Sequence, residues 1–316
     1  MQIEQVDEDL RPALASTPSP DVTKPVVRWL IARLSGLVKA VPTDGVRVTE
    51  HISGAAKVRV YQPDAPRTDA AMLWVHGGGL ILGSPKQDDP LVGGTASELG
   101  MTIVSAHYRL APAHRYPAAL DDVVAAWDWL QEQAATYGVD PARVVIGGES
   151  AGGGLAAAAA QLLRDRAEAE GTPAPIAQWL FAPMLDDRTA ADRALDAVDH
   201  PVWNNRANHV GWSSYLGVEP GSIDVPRYAV PARRDDLTGL PPAWITWGDI
   251  ELFAAEDAAY AERLRAAGVP TTVDIVPGGA HGFENWARHT PLAQSLLARA
   301  RAWLGEAIAT RTEDAG

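Results

Sequence analysis

Short apolar runs rich in β-branched residues alternate with longer helical stretches from about residue 46 onward. The runs AMLWV, VVIGG and AWITW are apolar at successive positions, which is typical of strands covered by helices on both faces of a parallel sheet. This alternation predicts an α/β fold with right-handed crossovers. The predicted strands are 46–52, 57–62, 71–76, 102–107, 143–147, 177–182, 242–247 and 271–276. The predicted helices are 91–99, 118–137, 151–169, 254–267 and 289–309.

Two segments fall outside this alternation, and a short link joins the first two strands. The link at residues 53–56 predicts an antiparallel hairpin at one edge of the sheet. Residues 1–45 carry a helical pattern, VVRWLIARLSGLVKAV, and residues 186–225 separate two strands with polar and aromatic sequence. An insertion of this length is usually functional. We therefore expect a catalytic domain of residues 46–185 and 226–316, with both outlying segments forming a cap over its active site.

Composition narrows the function classes. The 316 residues carry a net charge of −13, which argues against a nucleic-acid partner because phosphate binding requires a basic face. The chain has no cysteine, so disulfides, thiolate catalysis and cysteine-based zinc sites are excluded. No apolar run approaches the roughly 20 residues that span a bilayer, and the acidic N-terminus lacks the pattern of a signal peptide. We expect a soluble, cytoplasmic protein that does not insert into a membrane.

A Gly-Glu-Ser-Ala-Gly pentapeptide at residues 148–152 lies between a predicted strand and an Ala-rich predicted helix. A sharp strand-to-helix turn strains its central residue and requires glycine at the flanking positions, where a Cβ would clash. Such a turn lifts the serine oxygen out of the sheet and directs the first free N–H groups of the helix at a developing oxyanion. The pentapeptide therefore predicts Ser150 as a catalytic nucleophile.

A glycine run, HGGG at residues 76–79, follows the end of another predicted strand. Successive glycines allow backbone N–H groups to approach a substrate oxygen without an intervening side chain. We predict an oxyanion hole formed by the N–H groups of Gly77, Gly78 and Ala151. A phosphate loop would instead need a Lys-Ser/Thr pair or a third spaced glycine opening a helix, and residues 80–82 supply neither.

HGGG followed by GESAGG resembles the hormone-sensitive-lipase family of bacterial α/β-hydrolase esterases. The resemblance continues through residues 108–112, 114–119, 240–242, 260–264, 268–270 and 281–283. It implies an α/β-hydrolase fold with an eight-stranded, mostly parallel sheet, a helical cap and no metal, and we expect no cofactor. It also implies hydrolysis of short- to medium-chain acyl esters by a triad in the order Ser, acid, His. His281 matches the family histidine.

The acid of the triad departs from the family pattern, which places an Asp two positions before a Leu or Phe. Aligning GDIELFAAED at residues 248–257 on that pattern puts Glu251 at the triad position. Either Asp or Glu can accept the imidazole N–H and stabilise the imidazolium, and both occur in this fold. We predict Glu251 as the acid, with Asp249 as the alternative. The other interpretation of Asp249 is a carboxylate that stabilises its loop through nearby N–H groups.

Six residues are candidates for the wall of the substrate pocket: His76, Leu80, Glu149, Trp203, Trp212 and Phe283. Trp286 is a further candidate. Other roles stay open for several of them, because aromatic residues in an insertion are usually core residues, His76 could order its loop, and Glu149 could tie the nucleophile to a neighbouring loop.

Together these features predict a serine carboxylesterase that acts through an acyl-enzyme on a small-molecule ester. A homodimer is an option that the sequence leaves open. An amidase, lactonase or deacetylase would use the same machinery. A non-catalytic ligand-binding receptor of the same fold is the alternative from another class, and it predicts a lost triad residue.

Overall fold

The computed structural model describes residues 2–18, 20–35 and 39–309. Eight strands form one sheet, in the spatial order β1-β2-β4-β3-β5-β6-β7-β8. The strands are β1 (Val46–Ser53), β2 (Ala56–Pro63), β3 (Ala71–Val75), β4 (Thr102–Ala106), β5 (Val144–Glu149), β6 (Gln178–Phe181), β7 (Ala243–Gly248) and β8 (Thr271–Val276). β2 pairs antiparallel with both β1 and β4, and all other pairs are parallel. The predicted α/β-hydrolase sheet and its edge hairpin are confirmed.

The helices are α1 (Arg11–Ser16), α2 (Pro25–Ser35), α3 (Asp89–Leu99), α4 (Ala118–Gln133), α5 (Ala151–Glu170), α6 (Asp187–Ala191), α7 (Asn205–Leu216), α8 (Ala254–Ala266), α9 (Phe283–Trp286) and α10 (Pro291–Ala309). The helical pattern predicted near the N-terminus continues to residue 41, but α2 ends at Ser35 and residues 39–41 are not helical. Residues 36–38 of that prediction lie outside the described residues. Within the described ranges, we find no helix with the length and apolar character needed to cross a membrane.

Alternate residues of the central strands enter different apolar layers. Leu73 and Val75 of β3 pack in the layer that contains residues of α4, α5 and α8, whereas Trp74 packs in the layer that contains residues of α3 and α10. Side chains of a strand alternate between faces, so covering both faces buries every position of β3. This burial explains why the central strands are apolar at successive positions in the sequence.

Strand β5 is longer than the sequence predicts. The sequence predicts that β5 ends at residue 147, but the strand extends to Glu149. It extends because Gly147 and Gly148 pair with Trp179 and Leu180 of β6. Glycine weakens a strand in isolation, and pairing with a neighbouring strand overrides that preference here. The extension carries β5 up to the residue before Ser150.

Four loops leave the sheet at the same edge. β3 runs into the HGGG loop, β5 into Ser150, β7 into the loop that contains Glu251, and β8 into the loop that contains His281. Because these strands are parallel, their carboxyl ends lie together, and the crevice outside them is where ligands bind in open α/β sheets. The topology thus brings residues distant in sequence to one site.

Candidate active site

Ser150 lies in a strained turn between β5 and α5. Its backbone has φ +56° and ψ −124°, in a region that residues with a side chain rarely adopt. A Cβ at Gly148 would overlap the backbone of Gly152, and a Cβ at Gly152 would overlap the carbonyl oxygens of Val75 and His76. Close backbone approach therefore requires both glycines of the pentapeptide and fixes the serine at the top of the sheet.

Ser150, His281 and Glu251 form a continuous chain of hydrogen bonds. His281 Nε2 lies 2.8 Å from Ser150 Oγ, and His281 Nδ1 lies 2.6 Å from Glu251 Oε2. The exposed fractions of the three residues are only 5% for Ser150, 6% for His281 and 4% for Glu251. Phe253 packs edge-on against the imidazole, with ring centroids 5.2 Å apart. The low exposure strengthens the electrostatic contacts within this chain relative to water.

Asp249 lies elsewhere in the same loop. Its Oδ1 accepts a hydrogen bond from the backbone N–H of Gly278 at 2.7 Å, and its own N–H donates to the carbonyl of Val276. These bonds tie the loop after β7 to the turn after β8, which carries His281. The side chain that contacts the imidazole is that of Glu251, while Asp249 has the contacts of a loop-stabilising carboxylate.

Three backbone N–H groups near Ser150 are available to a substrate oxygen. Gly77 lies against Ser150, since a Cβ at Gly77 would be 3.3 Å from the Ser150 Cβ. Across the described residues, the N–H groups of Gly77, Gly78 and Ala151 donate no hydrogen bond to the protein. Ala151 is the first residue of α5, where the helix dipole favours negative charge. The arrangement suits stabilisation of an oxyanion.

A cavity of about 190 Å³ opens at the Ser150 side chain. Its wall is formed by Gly77, Gly78, Gly79, Gln87, Asp88, Glu149, Val202, Trp203, Gly282, Asn285 and Trp286, together with Ser150 and His281. Two of the six pocket candidates, Glu149 and Trp203, therefore line the cavity. Trp286 lines it as well. The other four do not.

Those four residues are buried in other places. His76 stacks on Tyr108, with centroids 4.3 Å apart, and its Nδ1 lies 2.8 Å from the carbonyl oxygen of Gly77. Burial lowers the pKa of His76 to about 3, so its ring is neutral and orders the glycine loop. Leu80 and Trp212 are buried in the apolar layer of α4 and α5, and Phe283 in that of α3 and α10. Leu80, Trp212 and Phe283 therefore pack in the apolar core and not in the cavity wall, although they lie close in sequence to site or cap residues.

Three further cavity residues, Gln87, Asp88 and Asn285, belong to none of the sequence motifs described above. Asp88 is fully buried, and burial raises its pKa to about 7, with repulsion from Glu284 and Asp89 adding to the rise. Burial likewise raises the pKa of Glu284 to about 7. The pKa of Glu149 is raised well above its usual range by burial first, then by repulsion from Glu284 and Asp88. Asp88 and Glu149 line the cavity, and Glu284 lies close enough to repel both, so the three form an acidic cluster at this wall.

Trp203 lies directly on the glycine loop. A Cβ at Gly79 would overlap the indole of Trp203, and a Cβ at Gly211 of α7 would be 2.6 Å from the carbonyl oxygen of Gly79. Trp203 belongs to the inserted segment 186–225, so this segment reaches the cavity at the third glycine of the HGGG run. The indole of Trp203 fits because residue 79 is glycine, and α7 approaches the same loop because residue 211 is glycine.

Known proteins share the fold of this chain. A family model described as an alpha/beta hydrolase fold matches residues 72–285. Carboxylesterase NlhH of Mycobacterium tuberculosis is 35% identical over 257 residues, which cover 79% of this chain and 78% of the relative. Carboxylic ester hydrolase LipN of the same species is 34% identical over 236 residues, and the match spans 74% of this chain and 62% of LipN. The chain belongs to the α/β-hydrolase family.

Solved structures refine this assignment. A bacterial heroin esterase superposes with a TM-score of 0.86 at 31% identity, covering 98% of this chain and 99% of that one. An esterase from the bacterial hormone-sensitive lipase family superposes with a TM-score of 0.77 at 27% identity, covering 96% and 99%. The resemblance to this esterase family, predicted from the HGGG and GESAGG motifs, is confirmed.

Proposed function

We propose that this protein is a serine carboxylesterase that hydrolyses small-molecule esters through an acyl-enzyme. The observation that carries the proposal is the unbroken contact from Ser150 through His281 to Glu251 at the strained turn. The imidazole Nε2 of His281, 2.8 Å from the serine oxygen, is placed to accept its proton. The relatives named as carboxylic ester hydrolases support the same reaction class.

In the proposed mechanism, Ser150 Oγ attacks the ester carbonyl carbon as its proton passes to His281 Nε2. Glu251 accepts a hydrogen bond from Nδ1–H and stabilises the imidazolium. The N–H groups of Gly77, Gly78 and Ala151 stabilise the oxyanion, where the loss of one such donor typically costs about 3–4 kcal/mol. His281 then protonates the leaving alkoxide, which departs as the alcohol. A water molecule, deprotonated by His281, attacks the acyl-enzyme and releases the acid and the free serine.

The cavity supports a preference for short acyl groups. About 190 Å³ at Ser150 is below the 300–1,000 Å³ of a pocket for a drug-sized ligand. We therefore expect turnover of an acyl-length series of aryl esters to be greatest for acetyl to butanoyl esters and to fall for longer chains. Amidase, lactonase and deacetylase activities share the same machinery and are tested with the matching amide, lactone and acetylated substrates.

The test combines labelling with turnover. An organophosphonate is expected to label Ser150 stoichiometrically and to abolish hydrolysis of the aryl ester, with Ser150→Ala as the blank. Active protein whose Ser150 stays unlabelled would exclude the proposed mechanism. Labelling at Ser150 without turnover of any ester would instead favour the ligand-binding receptor. A homodimer and a cytoplasmic location stay predictions of the sequence, and sedimentation of the purified chain tests the first.

A further inference from the structure

One side chain joins the loops that carry the candidate catalytic residues. Asn285 lies on α9, four residues after His281, and lines the cavity at Ser150. Its Nδ2 donates hydrogen bonds to Glu149 Oε2 and, at 3.3 Å, to Asp88 Oδ1. Glu149 directly precedes Ser150. The amide of Asn285 therefore connects the histidine loop with the turn that holds the nucleophile.

The same connection reaches the strand that leads into the oxyanion loop. Trp74 Nε1 donates to Asp88 Oδ2 at 2.7 Å, and Trp74 lies on β3, two residues before the HGGG run. Asp88 ends the short 3₁₀ helix Pro85–Asp88. Hydrogen bonds thus run from Trp74 through Asp88 and Asn285 to Glu149. They connect the strand before the oxyanion loop, the histidine loop and the turn of Ser150, whose separation must stay fixed during acyl transfer.

The second carboxyl oxygen of Glu149 contacts the backbone beside His281. A Cβ at Gly282 would lie 2.6 Å from Glu149 Oε1, so this carboxyl group packs directly on the residue after the histidine. Trp286 Nε1 donates to the carbonyl oxygen of His281 at 2.9 Å. Trp286 therefore holds the main chain of His281, while Glu149 packs against the next residue, Gly282.

The charges around this network make the amide donor necessary. No Lys, Arg or His in the described part of the chain forms an ion pair with Asp88, Glu149 or Glu284, and no cluster there has the arrangement of a metal site. The neighbouring Asp89 is paired with Arg59. The titratable groups that face the network are these three carboxyl groups, Asp89 and Tyr108 near Asp88, and His281 with Glu251 near Glu284. Unpaired buried carboxylates repel one another, and Asn285 supplies a neutral donor that both Asp88 and Glu149 accept.

We propose that Asn285 is a positioning residue of the ester hydrolysis, which keeps His281 at hydrogen-bond distance from Ser150 by joining Glu149 to Asp88. This inference rests on the proposed function. Without the amide, the acidic cluster separates and the histidine loop moves with it. A misplacement of about 1 Å at a reacting group can cost about 10²-fold in rate.

The test compares Asn285→Ala and Asn285→Asp with the wild type, on an aryl acetate between pH 5 and 9. We expect Asn285→Ala to lower kcat by about 10- to 100-fold with KM changed less than about threefold, because orientation rather than binding is lost. Asn285→Asp replaces the donor with a third carboxyl group. Its kcat relative to wild type should rise as the pH falls, because a protonated Asp again donates a hydrogen bond. A residue that only supported the fold would give a ratio independent of pH.

Two controls separate the outcomes. His289→Ala changes an exposed residue four positions further along and should retain wild-type kcat. The double variant Asn285→Ala with Glu149→Ala should fall no further than the worse single variant, because both act in one network. Additive losses, or a folded Asn285→Ala with wild-type kcat, would overturn the inference. If Asn285→Ala does not fold, the pH dependence of Asn285→Asp decides. Activity in Ser150→Ala would instead refute the proposed function.

Discussion

Buried carboxyl groups lie on both sides of His281, and their environments differ. On one side Glu251 has a single strong partner, the imidazole Nδ1 at 2.6 Å. On the other side Asp88 and Glu149 share the amide donor of Asn285, and no Lys or Arg within the described ranges forms an ion pair with the neighbouring Glu284. The paired carboxyl group is placed to act on the reaction, whereas burial raises the pKa values of the three carboxyl groups in the unpaired cluster. Residue type alone does not determine the role of a buried acid; its partners do.

The largest expected effect comes from removing the charge of Glu251, the carboxyl group that contacts His281. Glu251→Gln keeps the shape of the side chain but favours the wrong imidazole tautomer, so we expect kcat to fall by about 10³- to 10⁴-fold. Stopped-flow and steady-state hydrolysis of an aryl acetate measure this loss. The variant should still react slowly with an organophosphonate at Ser150. An activity within tenfold of wild type would show that Glu251 is not the acid.

Shortening the same side chain should have a smaller effect. Glu251→Asp retains the charge but withdraws the carboxylate by about one bond length, so the contact to Nδ1 becomes longer or water-mediated. We expect kcat to fall by about 10- to 100-fold. Measurement of kcat and KM on one aryl ester distinguishes the two variants, because a pure charge effect would leave Glu251→Asp near wild type.

The acidic cluster of Asp88, Glu149 and Glu284 predicts that the stability of the fold depends on pH. The folded-state pKa of Asp88, at about 7, lies above its unfolded value of 3.8, so the folded state binds the proton more tightly. Its contribution is fully present below the unfolded pKa and is lost as the pH rises through about 7. The pKa of Glu284 changes in the same direction. We expect the free energy of unfolding to fall on the order of a few kcal/mol between pH 5 and 8.

Denaturant unfolding at several pH values tests this dependence, with Asp88→Asn as the matched variant. The Asn side chain can still accept from Trp74 Nε1 but cannot ionise, so its stability should decline less between pH 5 and 8. Parallel curves for wild type and Asp88→Asn would show that the acidic cluster does not retain its protons.

Asp249→Asn should have the smallest effect of all. Asp249 is exposed, and an Asn oxygen can accept the same hydrogen bond from Gly278. We expect kcat within about threefold of wild type and a stability change below about 1 kcal/mol. Loss of turnover in this variant, combined with an active Glu251→Gln, would reverse the assignment of the acid.

Local pattern predicts the scaffold well. Strands of continuous apolar residues lie within one or two positions of their predicted bounds, because burial on both faces selects such residues. The pentapeptide around Ser150 is predictable for a similar reason, since close backbone approach admits only glycine at two of its positions. The resemblance added the histidine and, by alignment, the glutamate that contacts it.

Local pattern predicts Glu149 as a cavity residue but not its partners Asp88 and Asn285. Asn285 lies 136 residues from Glu149 and 197 from Asp88 in the sequence, and the three meet only because parallel strands end at one edge. The pocket candidates show the converse. Leu80 is close in sequence to the glycine loop, yet its side chain packs in the core. Proximity in sequence to a catalytic motif predicts which main-chain N–H groups lie at the site. It predicts less well which side chains point into the cavity.

The contact between Gly79 and Trp203 has an evolutionary consequence. Because the indole occupies the volume that a Cβ at position 79 would need, Gly79→Ala is harmful as long as the tryptophan is present. A smaller residue at position 203 would remove that overlap and leave only the backbone strain of a side chain at φ +60°. Epistasis of this kind constrains the order in which substitutions can accumulate. A change at position 203 in the inserted segment must come before any change at Gly79, and the positive φ of Gly79 still disfavours a side chain after it.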